Sequence, residues 1–154
     1  MNITGILVDT YNKKIEAVTI EYSTDEEYYD KRNKLLKCSI LSGKQVIFDG
    51  IECYCTFDDC GKLRDEELLP GVLLINKNNP TEVVDDIVGN IWIEKYDPEE
   101  YDTTSFNKEE IERILKQQCK CLVVHSDGKK DEVLCLKSLD DWINISHLVQ
   151  YGEA

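Results

Sequence analysis

Apolar and polar positions alternate most strictly between Ile51 and Phe57, where Ile51, Cys53, Cys55 and Phe57 are separated by Glu52, Tyr54 and Thr56. A period of two is the pattern of a strand with one buried face. Asp58-Asp59-Cys60-Gly61 closes it with turn residues, an acidic stretch follows from Arg64 to Glu67, and Leu69-Pro70-Gly71 breaks the chain again. Val72-Leu73-Leu74-Ile75 is a short continuous apolar run, which predicts either a buried strand or a turn of buried helix. After the turn at Asn78-Asn79-Pro80, the run Ile87 to Ile93 predicts one central strand, with Gly89 marking a bulge or a close backbone approach.

The N-terminal pattern predicts a β-hairpin, Ile3 to Val8 with Lys14 to Tyr22. Thr24-Asp25-Glu26-Glu27 is a capping box, and the helix it opens is expected to run to about Lys37 with Tyr28, Leu35 and Leu36 inward. Cys38 to Leu41 and Lys44 to Phe48 flank Ser42-Gly43, a predicted turn, and Asp49-Gly50 predicts another. A second helix starts at Asn107: Glu110 closes its capping box, Phe106 staples onto Ile111, and Ile111, Ile114 and Leu115 form one stripe through about Gln118. Cys121 to Ser126 and Glu132 to Leu136 flank Asp127-Gly128, a second hairpin signal. The apolar segment Trp142 to Val149 is expected to dock on the sheet, as a strand rather than a helix. The whole predicts an α+β fold: an antiparallel β-meander sheet with two helices in residues 1–118, and a C-terminal β-hairpin extension in 119–154.

Charge changes this picture. The net charge is −13, and residues 38–105 hold fifteen acidic against five basic side chains. Such a field disfavours direct binding to nucleic-acid phosphates and favours a partner with a basic surface. No apolar run reaches membrane-spanning length, and Met1-Asn2-Ile3-Thr4 lacks a signal-peptide pattern, so a cytoplasmic location without membrane partners is expected. The seven cysteines are odd in number and spaced as on strands, Cys53 with Cys55 and Cys119 with Cys121, which fits buried apolar residues better than disulfides or zinc knuckles.

The succession Phe57-Asp58-Asp59-Cys60-Gly61-Lys62-Leu63, Leu69-Pro70 and Ile87-Val88-Gly89-Asn90-Ile91 resembles a family of small phage and mobile-element proteins known only as a domain of unknown function. The resemblance covers residues 3 to 115 and departs at Gly71-Val72, where the family pattern has Asn. It implies a viral or mobile-element origin and no particular activity.

Catalytic chemistry is not indicated. His125 and His147 sit in apolar strand-like segments, the acid doublets place neighbours on opposite faces of a strand, and no phosphate-cradling or metal-binding spacing occurs. The expectation is a non-enzymatic protein, without cofactor or metal, that binds a host protein as inhibitor or adaptor. Its sharp form is a nucleic-acid mimic of anti-restriction or anti-CRISPR type, using Asp58, Asp59, Asp65, Glu66, Glu67, Asp85 and Asp86 as one acidic face. The alternative is a module binding a nucleotide or metabolite in a pocket that includes Tyr54, Lys62 and Trp92.

Overall fold

The strand that opens at Ile51 forms as its alternation demands. In the computed structural model, which describes residues 1–38, 40–60 and 68–139, it is β4 (Ile51–Asp58), with Ile51, Cys53 and Cys55 buried. The chain is mostly β: β1 (Asn2–Asp9), β2 (Lys14–Glu21), α1 (Asp25–Leu36), β3 (Leu41–Phe48), β4, β5 (Pro70–Ile75), β6 (Val83–Val88), β7 (Ile91–Asp97), β8 (Asp102–Thr104), α2 (Lys108–Leu115), β9 (Gln118–Val124) and β10 (Lys130–Ser138).

These strands make two sheets where one meander was expected. The first has the order β2-β1-β7-β4-β3, with β8 on the end of β7, and the second the order β6-β5-β10-β9. All pairings are antiparallel except β5 with β10, where Val72 to Leu74 run parallel to Leu136 to Ser138. The main core lies between the sheets, with Ile6, Phe48, Cys55 and Ile93 from the first meeting Val72, Leu74 and Leu136 from the second. Phe106, just before α2, and Ile114 within it add to this core. On the opposite face of the first sheet, α1 lays Tyr28 and Leu36 over Leu7, Ile20 and Trp92. No helix among the described residues is long and apolar enough to cross a membrane.

The caps explain the helices. Thr24 accepts from the Glu27 N–H at 3.2 Å, while Glu27 reaches back to Ser23 N–H at 3.4 Å. Lys37 ends α1 in the left-handed region, φ 57°. Asn107 and Glu110 exchange the reciprocal bonds of a capping box at 2.9 and 3.0 Å. Lys116 caps α2, so β9 begins at Gln118, where the periodicity had extended the helix.

Two expectations are corrected. Ser42-Gly43 is not a turn: β3 runs straight through it, because the ring of Tyr54 lies across Gly43, where a Cβ would stand 1.9 Å from the phenol oxygen. The turn is Asp49-Gly50, both with positive φ (51° and 75°), as a two-residue hairpin loop requires.

The second correction concerns Ile87 to Ile93, which is not one strand. The chain leaves β6 at Val88, turns through Gly89 (φ 80°), and enters β7 in the other sheet at Ile91. Gly89 N–H donates to the Leu69 carbonyl at 3.0 Å. Asn90, 3% exposed, accepts from the Thr10 N–H at 2.9 Å and donates to the Leu35 carbonyl at 2.9 Å. One carboxamide thus joins the sheet crossing, the first hairpin and the end of α1.

Asn90→Ala should therefore strand a buried N–H and a carbonyl. Each unsatisfied group costs about 1–3 kcal/mol, so a loss of about 3 kcal/mol is expected, read as a lower urea midpoint at unchanged slope. A change below about 1 kcal/mol would mean that water replaces both bonds.

Candidate functional site

Where the end of β4 approaches β6, a cleft of about 200 Å³ lies between them. Phe57, Ile87 and Val88 give it an apolar lining, and Lys44, Asp58, Asp59, Asp85 and Asp86 complete its rim. The acidic positions that sequence reasoning singled out on two separate segments are brought together here. Asp65, Glu66, Glu67 and Lys62 lie outside the described residues.

Local structure sets the four acids. Asp58 is nearly buried at the end of β4, and its Oδ1 accepts from Cys60 N–H at 2.9 Å, which bends the chain out of the strand. Asp59, beyond it, is exposed. Asp85 and Asp86 follow one another on the edge strand β6, and Asp85 Oδ1 accepts from Asp86 N–H at 2.9 Å. A register shift between Leu74 and Ile75 disturbs the β5–β6 ladder just beyond Asp85. Lys44, from the inner face of β3, reaches across to Asp85 at 3.3 Å, with both side chains about a third exposed (35% and 37%). Such a half-wet pair contributes about 0–1 kcal/mol. An apolar floor under carboxylates suits a lysine side chain, whose stem is hydrocarbon and whose head is cationic, and Lys44 of the chain itself meets Asp85 there.

The residues of the alternative pocket are placed differently. Trp92 and Tyr54 share the α1-facing side of the first sheet, but Trp92 is fully buried and Tyr54 covers Gly43. Beneath α1 the Trp92 Nε1–H donates to the Tyr28 oxygen at 3.1 Å, and the Tyr28 hydroxyl donates to Glu94 Oε1 at 2.6 Å. An indole nitrogen can only donate, so the direction of this chain is fixed. Glu94 is 3% exposed, and its Oε2 has no hydrogen-bond partner among the described residues.

Sequence reasoning passed over Glu94. The signal was its place two residues after Trp92, hence on the same buried face. Burial raises the Glu94 pKa above the ordinary carboxylate value, against the lowering effect of the Tyr28 hydrogen bond. Burial first, then the neighbouring Glu94 charge, raise that of Tyr28.

The thiols are core groups. Cys53 and Cys55 lie in the inter-sheet core, where burial pushes the Cys55 thiol up to about 12. Cys135 faces Cys119 across β9–β10 and is likewise raised to about 12, burial first. Among the described residues no group of three His, Cys, Asp or Glu side chains is placed to hold a metal. His125 lies 3.4 Å from Asp131, which also pairs with Lys13, so these residues tie the second hairpin to the first. His147 is outside the described residues. No protein-family model matches this chain, and no curated protein or solved structure does either.

Because the folded state favours the protonated form of Glu94, its contribution to stability is fully present below the unfolded-state pKa. It is lost as pH rises through the raised folded value. Glu94→Gln, neutral throughout, should remove that loss. Urea midpoints measured from about pH 4 to pH 8 should fall with pH more steeply in the natural chain than in the variant. Parallel curves would show that Glu94 ionises without cost where it sits.

Proposed function

We propose that this chain is a non-enzymatic interaction protein of phage or mobile-element origin. It binds a basic surface of a host protein as an inhibitor or adaptor. The observation that carries the reading is that Asp58, Asp59, Asp85 and Asp86, from two separate segments, line one cleft with an apolar floor, together with Lys44. The excess of ten acidic side chains in residues 38–105, fifteen against five, supplies a long-range field of the same sign. Such a field speeds encounter with a cationic partner. Proteins that bind DNA or RNA present rows of cationic side chains, so they are the partner class this surface fits best. Competition with nucleic acid for that basic surface is the resulting mode of inhibition.

The test is capture from a bacterial lysate by the immobilised protein at low and moderate salt, with partners identified by mass spectrometry. Nucleic-acid-binding proteins should be retained at low salt and lost when Asp59 and Asp86 are both changed to lysine. The same reversal at Glu99 and Glu100, on the turn after β7, should leave capture unchanged. Equal loss from both pairs would reduce the effect to net charge, and no effect from either would remove the cleft from the function.

A further inference from the structure

The first sheet ends at β2, and among the described residues no strand pairs with its outer edge. In an antiparallel ladder the N–H and C=O of one residue point to the same side, and successive residues alternate. Tyr22 exchanges both its bonds with Met1, at 2.9 and 2.8 Å. Ile20 and Val18 therefore face β1, while Glu21, Thr19 and Ala17 turn their main-chain groups outward. The Glu21 carbonyl confirms the parity: it accepts from Lys31 Nζ of α1 at 2.6 Å. Among the described residues no group bonds to the N–H or C=O of Ala17 or Thr19, an array that another strand can complete.

Beside this edge runs a groove of about 370 Å³ between β2 and α1. Val18, Ile20 and Leu35 form its apolar floor, Lys31 and Lys34 line its helical wall, and Thr19 and Glu21 complete the strand side. Lys31 is partly neutralised by Glu27, 3.1 Å away, which leaves Lys34 as the stronger of the two charges. The chain's net negative charge does not cancel them. At physiological salt a charge is largely screened beyond about 8 Å, so a ligand in the groove senses these ammonium groups first.

We infer that the β2 edge and the β2–α1 groove form a docking site for an extended acidic segment of a partner protein, which adds to the sheet as a further antiparallel strand. The recognition chemistry follows from the geometry. Main-chain bonds to Ala17 and Thr19 require an extended backbone. Residues of the added strand two apart face the groove, one packing on Val18, Ile20 and Leu35 and the other carrying a carboxylate to Lys34 and Lys31. The expected motif is apolar-x-acidic, with the acid an internal Asp or Glu side chain. This surface is separate from the acidic cleft and stands or falls independently of it.

The experiment is fluorescence anisotropy with a labelled nonapeptide whose centre reads Thr-Ile-Thr-Glu-Thr. Two controls accompany it, one with lysine in place of the glutamate and one with N-methylated central amides. The first peptide should bind, with both controls weaker by about tenfold or more. Lys34→Glu should weaken the first peptide to a similar degree. Thr19→Pro removes an outward N–H, a change tolerated on an edge strand, together with the hydroxyl that shares a 2.8 Å hydrogen bond with Thr4, and should abolish binding with a modest fall in the urea midpoint. Equal binding of the lysine peptide would overturn the charge assignment. Undiminished binding of the N-methylated peptide would overturn strand addition, even if Thr19→Pro proves unstable. Absence of saturable binding up to about 1 mM, or occupation of this edge by a second copy of the chain in sedimentation equilibrium, would overturn the proposal as a whole. The Asp59 and Asp86 reversals should not alter peptide affinity.

Discussion

At Gly89–Asn90 the chain leaves one sheet and enters the other, and a single buried carboxamide there serves three segments. A crossing between packed sheets carries main-chain groups through a region that water does not reach, so each must find a protein partner. Gly89 supplies the positive φ that turns the backbone and donates to the Leu69 carbonyl. Asn90 accepts from Thr10 at the first hairpin and donates to Leu35 near the end of α1. An aspartate could take the first role and a lysine the second, but only a carboxamide offers donor and acceptor on one short planar group.

From that crossing the rest of the architecture follows. The first sheet carries β7 in its middle, flanked by β1 and β4, so Ile91 and Ile93 fall in the inter-sheet core while Trp92 and Glu94 fall under α1. The second sheet is closed by the parallel pairing of β10 with β5, which places Leu136 in the same core as Ile6. The acidic cleft is a by-product of this arrangement. The residues at this gap are those of an edge strand and a strand terminus. Both are places where charged side chains are tolerated, and β6 with its two aspartates is such an edge.

The polar chain beneath α1 has a different logic. Trp92, Tyr28 and Glu94 are held in one hydrogen-bond direction by the indole N–H, and the carboxyl at its end is buried with one oxygen unpartnered. Apolar residues of similar shape would satisfy the layer at less cost. The arrangement anchors a helix whose remaining contacts with the sheet are few, Leu36 foremost.

Elements whose cause is local were legible in the amino-acid order. The alternation in β4, the Asn107–Glu110 capping box, the Thr24 cap and both terminal hairpins depend on neighbours within a few residues, and they form where the pattern places them. The acids of the candidate cleft were legible as residues but not as a group, since Asp58 and Asp85 meet only when β4 and β6 approach from different sheets. Gly43 reads as a turn until the Tyr54 ring from the neighbouring strand lies over it. Ile87 to Ile93 reads as one strand because a period of two does not record which sheet each half joins. Trp92 read as a pocket residue and Glu94 went unremarked, because only the arrival of α1 decides that this face is buried. What the chain determined by itself was the set of strands, caps and turns that short-range sterics and hydrogen bonding enforce. The two-sheet partition, the parallel closure, the cleft and the open β2 edge were decided by long-range contacts, whose partners lie far apart in sequence and come together only when the apolar faces are buried.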